Sequence, residues 1–252
     1  MTIGLVLSGG GARGIAHLGV LKAIQEKGIK IDGISGCSAG SIAGAMFAAG
    51  YSPEHILEIV VSANTLKAMR PSWNRSGLLK MKKLEEEYLK YIPHNDFEKL
   101  QIPLTVNATD IEAGEIIYFS KGEIIKPVMA SCCIPGLFEP IVYQKKTFVD
   151  GGVLNNMPVS PLLGKYDFII GSHCNPFGYQ KKTKSITSIF QKSLFLAINN
   201  NSKNSLEQCN LLIEPPELTK YDPFDIRKSK IIFEIGYKFG LAKLNSQKLL
   251  KL

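Results

Sequence analysis

The sequence predicts an α/β protein, a three-layer α/β/α sandwich around a mainly parallel central sheet. Strand-like and helix-like runs alternate through the first half of the chain, a pattern that lays helices on the faces of a parallel sheet. Two glycine-rich turns, at residues 9–14 and 36–40, each fall between a strand-like and a helix-like run. The 252 residues are 45% hydrophobic and 21% charged, ordinary for a globular chain with a sizeable core.

Each element has a local reason. Ile3–Leu7 is a short apolar run suited to a buried strand. After the first glycine loop, Ile15, Leu18, Leu21 and Ile24 recur at helical spacing, predicting a helix over about 14–27. Gly28 ends it. Residues 31–35 read as a second strand and the small apolar run 41–49 as a buried helix. Ser52-Pro53 offers an N-cap and an N1 proline for a helix to about Val61. Residues 62–80 read as irregular, and 82–91 as a helix. Strands follow at 104–108 and Glu115–Phe119. Residues 124–131 look helical and are closed by Pro135, and 147–149 form a short strand running into Asp150-Gly151-Gly152. Phe168–Ser172 is another buried strand. A helix over Ile186–Glu207, a strand at 211–214 and a last helix over about 225–250 complete the chain, with Pro215-Pro216 as punctuation. No repeat or low-complexity linker divides it. Residues 1–175 are expected to form the functional core, and 176–252 to complete the same domain by covering the sheet.

The formal net charge of +8 is compatible with anionic surfaces, anionic substrates or nucleic acid. No aromatic-basic interleaving or known nucleic-acid module accompanies it, so nucleic acid is not an expected partner. Five cysteines, Cys37, Cys132, Cys133, Cys174 and Cys209, lack metal or redox spacing and read as reduced thiols. No metal or cofactor is expected. The N-terminus has no signal-peptide pattern, and no apolar run approaches the roughly 20 residues that span a bilayer. The expectation is a cytoplasmic protein able to dock peripherally on a membrane. Met69 and Trp73, among basic residues, are candidates for a lid or membrane-touching loop. Lys181, Lys182 and Lys184 read as a solvated face.

Gly36-Cys37-Ser38-Ala39-Gly40 is a G-x-S-x-G between strand and helix. Such a turn pushes its serine out of the sheet, and the following helix aims its N-terminal amides at the same spot. The arrangement suits a nucleophile. Cys37 reads as packing. The earlier loop, Ser8-Gly9-Gly10-Gly11-Ala12-Arg13-Gly14, also satisfies G-x-G-x-x-G. Two readings compete: a dinucleotide site, or an oxyanion hole of bared glycine amides. The first needs an acidic residue at the end of the second strand, about 20 residues on. Asp32 lies instead at the start of that strand, which favours the oxyanion hole. Two bases are open. His173, ending a strand, could complete a Ser38-Asp-His173 triad with Asp110 or Asp150. Asp150, closing its own strand before two glycines, could act directly or be an ordinary turn aspartate. His17, His55 and His94 read as structural.

The order GGGARG, GCSAG, DGG resembles the patatin-like phospholipase family. So do the stretches FEKLQIPLTVNATDIEAGEIIYFSKG and PVMASCCIPGLFEPIVYQKKTFVDGGVLNNMPV. The likeness runs from about Ile3 to Cys174 and is loose beyond. The resemblance implies a patatin-like fold and a metal-independent carboxylic ester hydrolase acting on lipid esters. It implies a dyad of Ser38 as nucleophile and Asp150 as base, without histidine. The amides of Gly9, Gly10 and Gly11 would form the oxyanion hole with Arg13 holding the loop; Gly14, Gly36, Gly40, Gly151 and Gly152 are the remaining motif glycines. His173 stands where the family usually carries an aliphatic residue. The head group, acyl length and oligomeric state are left open, as is a non-catalytic binding role on the same scaffold.

Overall fold

The computed structural model describes residues 1–62, 81–176, 178 and 186–246. The lid expectation at Met69 and Trp73, the basic loop at 181–184 and the end of the last helix lie outside the described residues.

A mixed sheet of eight strands organises the molecule, in the order β5-β6-β3-β2-β1-β7-β8, with β4 also paired to β3. The strands are β1 (Ile3–Leu7), β2 (Gly33–Gly36), β3 (Leu104–Asp110), β4 (Glu115–Phe119), β5 (Ile141–Tyr143), β6 (Lys146–Asp150), β7 (Phe168–Ser172) and β8 (Leu211–Ile213). β1, β2, β3, β7 and β8 run parallel; β4 and β6 run antiparallel to β3. The helices are α1 (Ile15–Glu26), α2 (Ala39–Ala48), α3 (Pro53–Val61), α4 (Lys82–Leu89), α5 (Ile125–Ser131), α6 (Gly152–Asn155), α7 (Ile186–Glu207) and α8 (Ser229–Ser246).

Both faces of the sheet are covered, as its near-continuous apolar strands require. Leu5 and Leu7 of β1 enter the large core with α1, α2, α3 and α8. Val6, between them, enters a smaller core with Met157, Val159, Leu162 and Ile169 on the opposite face. Period-two alternation thus feeds two cores from one strand. α8 lies directly on α1. Added side chains at Gly19 or Gly236 would run into the facing helix backbone, so glycine permits the close crossing.

Several boundaries differ from the sequence reading. The first helix begins as a 3-10 turn, Gly11–Gly14, before α1. β2 lies two residues later than expected at its start, and α2 begins at Ala39, immediately after Ser38. β3 extends to Asp110 and pairs there with β4 and β6. β5 was not expected: it pairs with β6 through Gln144-Lys145, both at positive φ (48° and 62°). That is the conformation of a tight hairpin turn, here without the usual Asn or Gly. The last helix is preceded by a separate 3-10 turn, Ile226–Lys228.

Candidate active site

The site forms where two strands meet end to end. β3 pairs β2 through Leu104–Val106 and β6 through Ala108–Asp110, while β4 occupies its other edge. β2 and β6 therefore share one edge of β3. They run in opposite senses, so their carboxyl ends face one another across Asn107. The serine turn leaves β2 and Asp150 closes β6 at this junction. Asp150 comes in from beyond the parallel strands and stops level with Ala108.

Ser38 sits at φ 50°, ψ −122°, a strained conformation for a residue with a Cβ. Its Oγ donates to Asp150 Oδ2 at 2.7 Å. Its own N–H donates to Ser131 Oγ at 2.8 Å, which holds the turn from α5. The other carboxylate oxygen, Oδ1, accepts the Gly152 N–H at 2.7 Å. The Cys37 thiol, which the sequence gives only a packing role, also lies 3.9 Å from Oδ1. The Asp150 backbone is fixed as well: its N–H donates to Cys133 O and its carbonyl accepts Thr109 Oγ1. Burial raises the Asp150 carboxyl from 3.8 to about 6, only partly offset by the bonds from Ser38 and Gly152. Among the described residues no cation contributes to that balance, which leaves this carboxylate more basic than an ordinary one. The motif glycines permit close contacts: Gly14 rests on Ala39, Gly36 on the Gly40 carbonyl, Gly40 on the Leu7 carbonyl, Gly151 on Asn107 and Gly152 on Asn156.

The glycine loop differs from expectation at Gly9. Its N–H donates to the Asn156 carbonyl at 3.1 Å, so it has no free donor for an oxyanion. Its carbonyl accepts from Asn156 Nδ2, Asn175 Nδ2 and the Cys174 thiol. Gly9 is thus the clamped root of the loop. The Gly10 and Gly11 amides have no hydrogen-bond acceptor among the described residues, and neither has the Ala39 amide at the start of α2. Gly11 lies at φ 55° with the Pro223 carbonyl against its Cα, and Ala12 N–H donates to that carbonyl at 2.7 Å. Arg13 is buried, and its Nε donates to Tyr221 O at 2.7 Å. The loop is therefore anchored to the C-terminal part of the chain.

The rival arrangements are not assembled. His173 is buried with Nδ1 2.6 Å from Glu214 Oε1, and Asp110 pairs with Lys146 at 2.9 Å; neither joins Ser38. Asp32 accepts the Ile3 N–H at 2.8 Å and meets Lys30, at the amino end of β1, whereas the glycine loop leaves the carboxyl end. A dinucleotide ribose could not span both. Asn107, Ser131, Asn156 and Asn175 are supporting residues that residue-type reasoning missed. Asn107 Nδ2 donates to the Gly151 and Asn155 carbonyls and holds the aspartate turn.

Ser38 opens onto an apolar cavity of about 350 Å³, lined by Ile15, Leu18, Ile42, Leu84, Leu137 and Phe138 among others. On its other side is a small recess of about 20 Å³ bounded by Asp150, Asn156, Asn175, Phe195 and Ile198. Among the described residues no cluster of metal-ligating side chains occurs, and no helix is long and apolar enough to cross a membrane.

The patatin-like phospholipase family model matches residues 5–163. The chain belongs to the patatin-like phospholipase family. It is 35% identical over 164 residues to an uncharacterized NTE family protein of Mycobacterium tuberculosis, covering 64% of this chain and 46% of that one. It is 28% identical over 275 residues to the lysophospholipase NTE1 of Kluyveromyces lactis, covering 94% of this chain and 19% of that one. The chain thus spans about half the length of the first of these relatives, and less of the second. Among solved structures, VipD from Legionella pneumophila superposes with a TM-score of 0.62 at 18% identity, covering 97% of this chain and 67% of that one. That likeness supports the family's fold, with its mainly parallel sheet between helical layers.

Proposed function

We propose that the protein hydrolyses carboxylic esters of lipids through a Ser38–Asp150 dyad and an acyl-serine intermediate. The observation that carries this reading is the 2.7 Å bond from Ser38 Oγ to Asp150 Oδ2 on a strained turn facing an apolar cavity. Asp150 takes the Ser38 proton as Oγ attacks the ester carbonyl. The amides of Gly10, Gly11 and Ala39 receive the oxyanion, each such donor being worth on the order of 3 kcal/mol elsewhere. Asp150 returns the proton to the leaving alcohol. It then deprotonates a water that attacks the acyl-Ser38, releasing the fatty acid and restoring Ser38. Arg13 and Gly9 hold the loop in place. Residues 176–252 belong to the same functional unit, a reading supported by the anchoring of the loop at Tyr221 and Pro223.

The substrate reading is a phospholipid, lysophospholipid or acylglycerol presented at a membrane surface. Ile186, Ile189, Phe190 and Leu196 of α7 are exposed, while Leu194, Phe195 and Ile198 of the same helix line the recess beside Ser38. An apolar outer stripe next to the site suits a lipid interface. The test is fatty-acid release from lysophosphatidylcholine and from anionic phospholipid vesicles. Wild type should release fatty acid and Ser38→Ala should not. A folded wild type that cleaves no lipid or aryl ester contradicts the reading.

A further inference from the structure

The apolar cavity contains a polar group that the chemistry at Ser38 does not use. Among the described residues that line it, only Ser38, the Cys132 thiol and Tyr88 carry polar side-chain groups. Tyr88, on α4, is 4% exposed. Its hydroxyl makes no hydrogen bond among the described residues. The unpartnered side-chain oxygens and nitrogens that are fully enclosed belong to Ser35, Asn107, His173, Asn175 and Asn199. The Tyr88 oxygen is not among them, so it keeps an open side, and the space this buried residue lines is the cavity. Burial raises its phenol well above the ordinary value, with a smaller contribution from Cys132. Tyr91 and Glu87 add to that rise, and the phenol stays protonated as a donor in the cavity that Tyr88 and Cys132 both line.

A hydroxyl in an apolar cavity is costly unless it has a partner. A phenylalanine would fill the same volume without that cost. A plain acyl chain would displace water from the phenol and give nothing back. An acyl chain carrying a hydroxyl, keto or epoxide oxygen would satisfy it. Sites with few polar groups in an apolar lining use them to orient and select ligands. A site built to pair a substrate oxygen also discriminates against the analogue that lacks it.

We propose that the cavity beside Ser38 is an acyl site for oxygenated chains, with the Tyr88 hydroxyl as hydrogen-bond partner of the chain oxygen. The proposal rests on the lipid-ester reading for its catalytic consequence, but the binding preference stands apart from turnover.

The experiment therefore has two arms. In the first, Ser38→Ala protein is titrated calorimetrically with dodecanoic acid and with monohydroxy dodecanoic acids bearing the hydroxyl near the carboxyl, in mid-chain or at the far end. The same titrations are run on Ser38→Ala/Tyr88→Phe, with a thermal melt to confirm folding. At least one hydroxy acid should bind about tenfold tighter than the plain acid, the scale of one buried hydrogen bond. Tyr88→Phe should erase that preference and tighten the plain acid. In the second arm, kcat/KM is measured for the matching p-nitrophenyl esters with wild type and Tyr88→Phe; the same preference should appear and vanish. Equal binding of plain and hydroxy acids, or a preference that survives Tyr88→Phe, overturns the proposal. Tyr88-dependent binding without cleavage of any ester overturns the hydrolase reading and leaves the acyl site standing. Cleavage without a hydroxyl preference does the reverse.

Discussion

Ser38 and Ser172 lie on the two flanks of β1, and each hydroxyl meets a proton acceptor. Ser38 Oγ donates to Asp150 Oδ2 at 2.7 Å; Ser172 Oγ lies 2.8 Å from His17 Nδ1. The two distances are nearly equal, and by residue type the second pair, a serine with an imidazole, looks more like a serine hydrolase than the first. Its surroundings differ. His17 Nε2 is 2.8 Å from the Ser8 carbonyl, which can only accept, so Nε2 carries the proton and Nδ1 accepts from Ser172. Both ring nitrogens are committed. His17 is fully buried, and burial lowers its pKa to about 4. Ser172 ends a regular strand, paired with Leu7, and lines neither cavity. Ser38 has a strained backbone, unpaired amides opposite it and an apolar cavity in front. The lesson is that nucleophile–base distance alone does not separate two candidates, whereas strain, free donors and access favour Ser38 as the proposed nucleophile. The Ser172–His17 pair is a strut behind the glycine loop.

The largest expected break in this comparison is Asp150→Asn. Losing the base should lower kcat by about 10³, measured as fatty-acid release. The same variant should melt at a higher temperature at neutral pH. Because the Asp150 carboxyl moves from 3.8 to about 6 on folding, the native state binds more protons than the unfolded chain across that interval. Stability therefore falls as pH rises from about 4 through about 6. Above that window the buried carboxylate costs on the order of 3 kcal/mol, and asparagine removes the charge. Calorimetry on both proteins at pH 4 and pH 8 should show the variant's advantage only at the higher pH.

The same shift sets a pH profile. Wild-type kcat/KM should climb with pH through about 6 and then level, since Asp150 must be ionised to accept the Ser38 proton. A profile still climbing tenfold per pH unit above pH 8 would point to a different base. Smaller is Asn107→Ala, which removes the side chain holding the Gly151 and Asn155 carbonyls. Losing these buried bonds should cost about 1–3 kcal/mol in a denaturant melt and lower kcat more than it changes KM, because Asp150 loses its placement. Smallest is Ser172→Ala. It should cost about 1 kcal/mol of stability and leave turnover within about threefold.

The parts of this contrast readable from sequence were those written in backbone-permissive residues. Glycines flanking Ser38, the triple-glycine loop and Asp150-Gly151-Gly152 mark turns that few other residues allow, so the meeting residues stood out. What stayed hidden depends on distant pairing. Gly9's amide is taken by the Asn156 carbonyl, far along the chain, which leaves Gly10, Gly11 and Ala39 as the amides without an acceptor among the described residues and as the proposed oxyanion donors. The end-to-end meeting of β2 and β6 follows from a shared edge of β3, a topological fact that no local window contains. The β5–β6 hairpin was missed because Gln144 and Lys145 adopt positive φ without the residue types that signal it. His173, which sequence order offered as a base, instead pairs with Glu214.

The most direct measurement is intact mass after fluorophosphonate treatment of wild type, Ser38→Ala and Ser172→Ala, each shown to be folded by its melt. The account predicts one adduct on wild type and on Ser172→Ala, and none on Ser38→Ala. An adduct that persists on Ser38→Ala, or is lost from folded Ser172→Ala, would contradict it.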